Sequence, residues 1–130
     1  MVNERELIFK RVLDSAFRVH TELGPGLLER AYQECLFYEL NRVGLFVEKE
    51  KPMPLSYKEV RLEAGYRVDL LVENSIIVEI KSVEALADVH FAQILTYMKL
   101  YDCSLGLLVN FNVKFLREGI RRVIRSPSRS

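Results

Sequence analysis

The chain has 130 residues, 49% apolar and 28% charged, which is the balance of one soluble globular domain and excludes a disordered or fibrous chain. A domain of this length buries enough of itself to hold a core without disulfides or a structural metal. Cys35 and Cys103, in apolar stretches with no CxxC spacing, therefore read as buried free thiols of a reducing compartment and not as a zinc site. Net charge is +1 but uneven: 13 Lys/Arg face 17 Asp/Glu up to residue 110, whereas beyond it Lys114, Arg117, Arg121, Arg122, Arg125 and Arg129 stand against Glu118 alone, either as a phosphate contact or as a solvated face.

The start, MVNERELIFKRVLDS, carries acids where a secretion signal has a basic flank and an apolar run, and no run of about 18 apolar residues occurs, so a cytoplasmic protein without a membrane partner is expected. Leu7, Ile8, Val12, Ala16, Val19 and Leu23 recur at three and four, which predicts an amphipathic helix over 4–23. Gly24-Pro25-Gly26 ends it in a turn. A second helix is predicted over 27–43 from Leu28, Ala31, Tyr32, Cys35, Leu36 and Leu40, closed by Gly44 as a left-handed C-terminal cap.

From there the period changes to two, with Val, Ile and Tyr enriched, and strands are predicted over 46–51, 55–57, 60–62, 66–72 and 76–81, Pro52 and Pro54 confining the first to a sheet edge. Helical spacing returns over 83–101, CSLGLLVNF reads as a buried strand, and 113–124 is ambiguous. A single domain over 1–125 with a disordered tail at 126–130 is expected. Two helices, a meander, a helix and another strand predict the α/β class, with a mixed sheet flanked by helices.

The chemistry concentrates in GYRVDLLVENSIIVEIKS. Glu79 and Lys81 lie two apart and share one face of their strand, while Asp69 interrupts an apolar strand before it. An unpaired buried carboxylate costs several kcal/mol, so these groups need a partner charge or a metal. Loop length decides whether they meet. A two-residue turn at Asn74-Ser75 puts Asp69 and Glu79 on opposite faces, whereas a three-residue loop, Glu73-Asn74-Ser75, pairs Val72 with Ile76 and sets the two acids opposite each other. Two carboxylates so placed can hold Mg²⁺ through oxygen ligands, with the lysine orienting a water or stabilising charge on a phosphate.

Asp69, nine residues, then Glu79-Ile80-Lys81 resembles the catalytic signature of the PD-(D/E)XK nuclease superfamily, with Val68 where its proline commonly stands. Gly26, Glu29 and Tyr32 have the spacing of the GxxExxY family of that superfamily, and this likeness runs from the first helix to NFNVKFLREGIRRVI. Gln93 and Tyr97, four apart on one helical face with His90 before them, are similar to the Q-x-x-x-Y element of its exonuclease-like members. Without the resemblance, Glu29 reads as an acid favoured by a helix N-terminus, Gln93 and Tyr97 as a polar helix edge, and His20 as a polar residue near a helix C-terminus.

The resemblance implies a restriction-endonuclease-like αβββαβ core with an extra N-terminal helix, and a Mg²⁺-dependent nuclease, with Mn²⁺ as a substitute, acting on DNA more than RNA in repair or recombination. It implies Asp69 and Glu79 as catalytic acids that bind metal with the main-chain carbonyl of Ile80, Glu29 in support, and Lys81 placing the attacking water. Substrate contacts are expected from Gln93, Tyr97, Tyr32, Arg121 and Arg122, and a homodimer from the junction-cleaving members. The competing reading is a nucleic-acid or protein interaction module that keeps the fold without catalysis.

Overall fold

The computed structural model describes residues 3–63 and 65–126; the expected tail lies, beyond Ser126, outside the described residues. Helix α1 spans Glu4–Leu23, its N-terminus capped by the Asn3 side chain, which accepts from Arg5 N–H at 2.8 Å. Helix α2 spans Glu29–Arg42 and starts later than the spacing predicts. Leu27 is withheld from it because its N–H donates to the Tyr32 hydroxyl and its carbonyl accepts from Ser82 Oγ. The end of α2 is as expected: Gly44 takes φ 85°, its N–H donates to the Asn41 carbonyl, and Leu45 N–H donates to the Leu40 carbonyl, the paired bonds of a left-handed glycine cap.

The strands are β1 (Val47–Pro52), β2 (Leu55–Tyr57), β3 (Val60–Leu62), β4 (Arg67–Val72), β5 (Ile76–Lys81), β6 (Leu105–Asn110) and β7 (Ile120–Ile124), with helix α3 (Asp88–Tyr101) between β5 and β6. Five of them form a sheet in the order β1-β4-β5-β6-β7, antiparallel except for the parallel pair β5-β6, while β2 and β3 form a separate hairpin. The proline-bearing β1 is at one edge, and the ambiguous segment resolves into a short 3₁₀ turn, Leu116–Gly119, followed by the other edge strand, β7.

Alternation along β5 explains the layers. Ile76, Val78 and Ile80 point into a core shared with α1 and α2, and Ile77 points into a second core under α3. All four are fully buried and contribute roughly 1.5–3 kcal/mol each, so the centre of the sheet is fixed from both sides. Gly106 on β6 admits α3: a Cβ there would meet Met98 Sδ at 2.9 Å and Ile94 Cδ1 at 3.1 Å. Cys103 is buried and Cys35 half-buried, both unpaired.

Helix α3 begins at Asp88 and not at residue 83. The reason is tertiary. Asn110, at the end of β6, accepts from Val83 N–H at 3.1 Å and donates to the Val83 carbonyl at 2.9 Å, so the carbonyl that a helix from residue 83 would use for its first bond is already taken. None of the described helices is long and apolar enough to cross a membrane.

Candidate active site

The β4–β5 hairpin has the three-residue loop, with Val72 opposite Ile76, Leu71 opposite Ile77 and Leu70 opposite Val78. Glu73 and Asn74 make the reversal at φ 51° and 53°, a left-handed pair that asparagine tolerates well. Asp69 and Glu79 follow at the next step, where the backbone ladder gives way to side chains. Asp69 N–H donates to Glu79 Oε2 at 2.9 Å, and Ile80 N–H donates to Asp69 Oδ2 at 2.8 Å. Each acid thus takes an N–H from the opposite strand, and the two carboxyls come together.

Burial sets their charge state. Glu79 is 2% exposed, and desolvation, reinforced by the charge of Asp69, pushes its carboxyl well above the ordinary glutamate value. Asp69 is also raised, chiefly by burial, against the N–H of Ile80 and the charge of Lys81, which lower it. Two acids so close favour sharing a proton. Lys81 Nζ donates to Gln93 Oε1 at 2.7 Å, and Gln93 Nε2 donates to the Tyr97 hydroxyl at 3.3 Å, which joins β5 to α3 in one chain of polar groups. Burial, with the charges of Glu79 and Asp69 facing it, raises the Tyr97 phenol and keeps it protonated.

Glu29 enters from the start of α2. Ser82 N–H, one residue past Lys81, donates to its Oε2 at 3.4 Å, and its charge is among those that raise Asp69. Asp69, Glu79, Lys81, Gln93, Tyr97 and Glu29 are therefore gathered at the carboxyl end of β5.

Three expected substrate contacts are placed elsewhere. Tyr32 is fully buried, stacks on Phe111 at 4.5 Å and 6°, and donates its hydroxyl to the Gly24 carbonyl at 2.6 Å while accepting from Leu27 N–H. It holds the Gly-Pro-Gly turn and has no face left for a substrate. Arg121 and Arg122 are neighbours on a strand and point to opposite sides of it. Arg122 pairs with Glu6 at 2.5 Å over the Phe9 ring, and Arg121 bonds to the carbonyls of Glu118 and Ile120.

Asn110 and Asn112 were not among the expected residues. Asn110 clasps Val83, and Asn112 Oδ1 accepts from Gly26 N–H at 3.1 Å, so together they tie the segment after Lys81 to the turn before Glu29. The one sequence signal was the pair of asparagines, two residues apart, ending an otherwise apolar strand. His20 Nε2 lies 2.7 Å from the Val113 carbonyl, a structural contact at the end of α1.

Among the described residues no three of His, Cys, Asp and Glu form a ready ligand cluster. The donor set nevertheless suits a hard divalent cation: two carboxyls whose burial is unfavourable to their charge, which a cation relieves, with one oxygen each beyond those that accept an N–H. The Ile80 carbonyl faces the same edge, because in an antiparallel strand the N–H and C=O of one residue point the same way and its N–H reaches Asp69.

A five-stranded mixed sheet between helices, with a hairpin that sets two acids opposite each other and a lysine two residues on, defines a restriction-endonuclease-like α/β domain. Residues 6–123 match the family model of the PD-(D/E)XK nuclease superfamily, and the chain belongs to that superfamily, whose members are generally nucleases that use divalent metals. No curated protein and no solved structure matches the chain.

Proposed function

We propose that the protein is a Mg²⁺- or Mn²⁺-dependent nuclease that hydrolyses DNA phosphodiester bonds in the cytoplasm, of the GxxExxY kind, with repair or recombination as its setting. The observation that carries this is the paired burial of Asp69 and Glu79 beside Lys81, an arrangement that disfavours the ionised form of both acids and that a cation would relieve. Asp69, Glu79 and the carbonyl of Ile80 would hold the cation, with Glu29 at its margin. Bound there, it would supply Lewis acidity toward a phosphate oxygen and toward a water.

The chain's own residues do the rest. Lys81, oriented by Gln93, places its ammonium where it can position the attacking water and offset charge on the phosphorane-like transition state. Tyr97, held protonated, faces the same acids, and Gln93 ties lysine and phenol together through its two hydrogen bonds. The test is Mg²⁺- and Mn²⁺-dependent cleavage of a panel of DNA forms, with Asp69→Ala and Lys81→Ala as controls. Cleavage by the wild type and its loss in both variants supports an enzyme; binding without cleavage supports the interaction module.

A further inference from the structure

Beside the acidic pair the surface opens into a groove of about 420 Å³. One wall is α3, with Val89, His90 and Leu100, and the other is Leu55 of β2 with Tyr66 just before β4. Gln93 and Tyr97 line it too, and these are the residues that hold Lys81 and face the charges of Asp69 and Glu79. Groove and site are therefore continuous.

The lining is mainly apolar and aromatic, with His90, Gln93 and Thr96 as its uncharged polar groups, and among the described residues no Lys, Arg, Asp or Glu contributes to it. A phosphate finds no counter-charge there, whereas the face of a base finds Tyr66, 49% exposed, and Val89, 68% exposed. Two donors are set at its wall. Ala87 N–H donates to His90 Nδ1 at 2.9 Å, which places the proton of the neutral ring on Nε2, and the Tyr97 hydroxyl, accepting from Gln93, keeps its own proton for another acceptor. Duplex DNA is held chiefly through its phosphates, and within the basic C-terminal stretch Arg122 and Arg125 are ion-paired with Glu6 and Asp102 while Arg121 is bonded to main-chain carbonyls. Unpaired strands are held by bases stacked on aromatic and apolar side chains.

The geometry points to an unpaired nucleobase as the occupant of this groove: the nucleotide beside the scissile phosphodiester stacks against Tyr66 and presents its edge to His90, so the substrate is a single strand or flap and not a continuous duplex. This rests on the nuclease reading of the adjoining site.

The test titrates the full chain, in EDTA at low salt, into short oligodeoxynucleotides carrying one 2-aminopurine, either single-stranded or embedded in a duplex. The expected result is saturable binding with a change in 2-aminopurine fluorescence for the single strand only. Tyr66→Ala and Val89→Glu, both at exposed positions, should each weaken it about tenfold or more with unchanged circular dichroism. Equal affinity for strand and duplex, or wild-type affinity in both folded variants, overturns the proposal. Light scattering on the same proteins covers the other occupant: if the variants dissociate a dimer while strand affinity persists, the groove is an interface between copies and the proposal falls. Because binding is read without cleavage, failure of the nuclease reading shows separately, as no cleavage by the wild type in Mg²⁺ with base binding intact.

Discussion

Replacing Glu79 by Gln should stabilise the cation-free protein at neutral pH, an unusual sign for a change at a site 2% exposed. The amide keeps an oxygen to accept the Asp69 N–H, leaves no cavity, and removes a charge that desolvation and Asp69 both disfavour. Ionised groups buried with incomplete compensation cost about 1–3 kcal/mol after hydrogen bonding, and a gain of that size raises the melting temperature by several degrees in a domain of this length. The pH dependence fixes the mechanism. Because the folded-state pKa of Glu79 is raised, its contribution to stability is fully present below the unfolded value of 4.5 and is lost as pH rises through the folded value. Urea denaturation in EDTA should therefore show a small difference between wild type and Glu79→Gln at about pH 4 and a growing advantage for the variant toward about pH 8. Mg²⁺ should then reverse the order by stabilising the wild type alone. A variant that is destabilised equally at all pH values would refute the claim that the pair is electrostatically strained.

Mg²⁺ should raise the melting temperature of the wild type and leave that of Asp69→Ala unchanged; equal shifts would place the ion elsewhere. Asn110→Ala, which strips Val83 N–H and Asn112 N–H of their partner and leaves the Val83 carbonyl only its bond from Asn112, should cost about 1–3 kcal/mol in urea denaturation and lower cleavage with it, since the segment after Lys81 loses part of its anchor. Arg122→Ala should lower stability by about 1 kcal/mol through its packing on Phe9, while leaving the salt slope of DNA affinity within error of wild type, because its guanidinium is engaged by Glu6. Light scattering at about tens of micromolar checks the homodimer expected from the resemblance, for which β7 is an edge strand able to pair across an axis; a monomer there would count against it.

The register of the acidic hairpin was legible only as a condition: parity ties the meeting of Asp69 and Glu79 to loop length, since a loop one residue shorter would have put them on opposite faces, whereas the apolar residues around them, buried on both sides of the sheet, accept either register. Pro52 marked its strand as an edge for an equally local reason. Other features depended on distant partners. The start of α3 moved because Asn110, far along the chain, captures Val83. Tyr32 matches a motif by spacing, yet spacing alone does not separate a tyrosine that meets a substrate from one stacked on Phe111. Arg121 and Arg122 look like one basic patch in the sequence and are separated by the thickness of the sheet once they lie on a strand.

The strand that carries the uncompensated acid is also the one buried on both faces. Ile76, Ile77, Val78 and Ile80 together contribute more stabilisation than the acidic pair removes, so the sheet holds Glu79 in place against its own desolvation. The crossed bonds from Asp69 N–H to Glu79 and from Ile80 N–H to Asp69 then do what a continued backbone ladder could not: they keep the two strands joined while leaving each acid one carboxyl oxygen that takes no N–H. Any group that binds there meets acceptors already oriented by two N–H donors and a lysine already oriented by Gln93. The cost of arranging these charges has been met in folding, and a cation or a phosphate that binds does not have to supply it again.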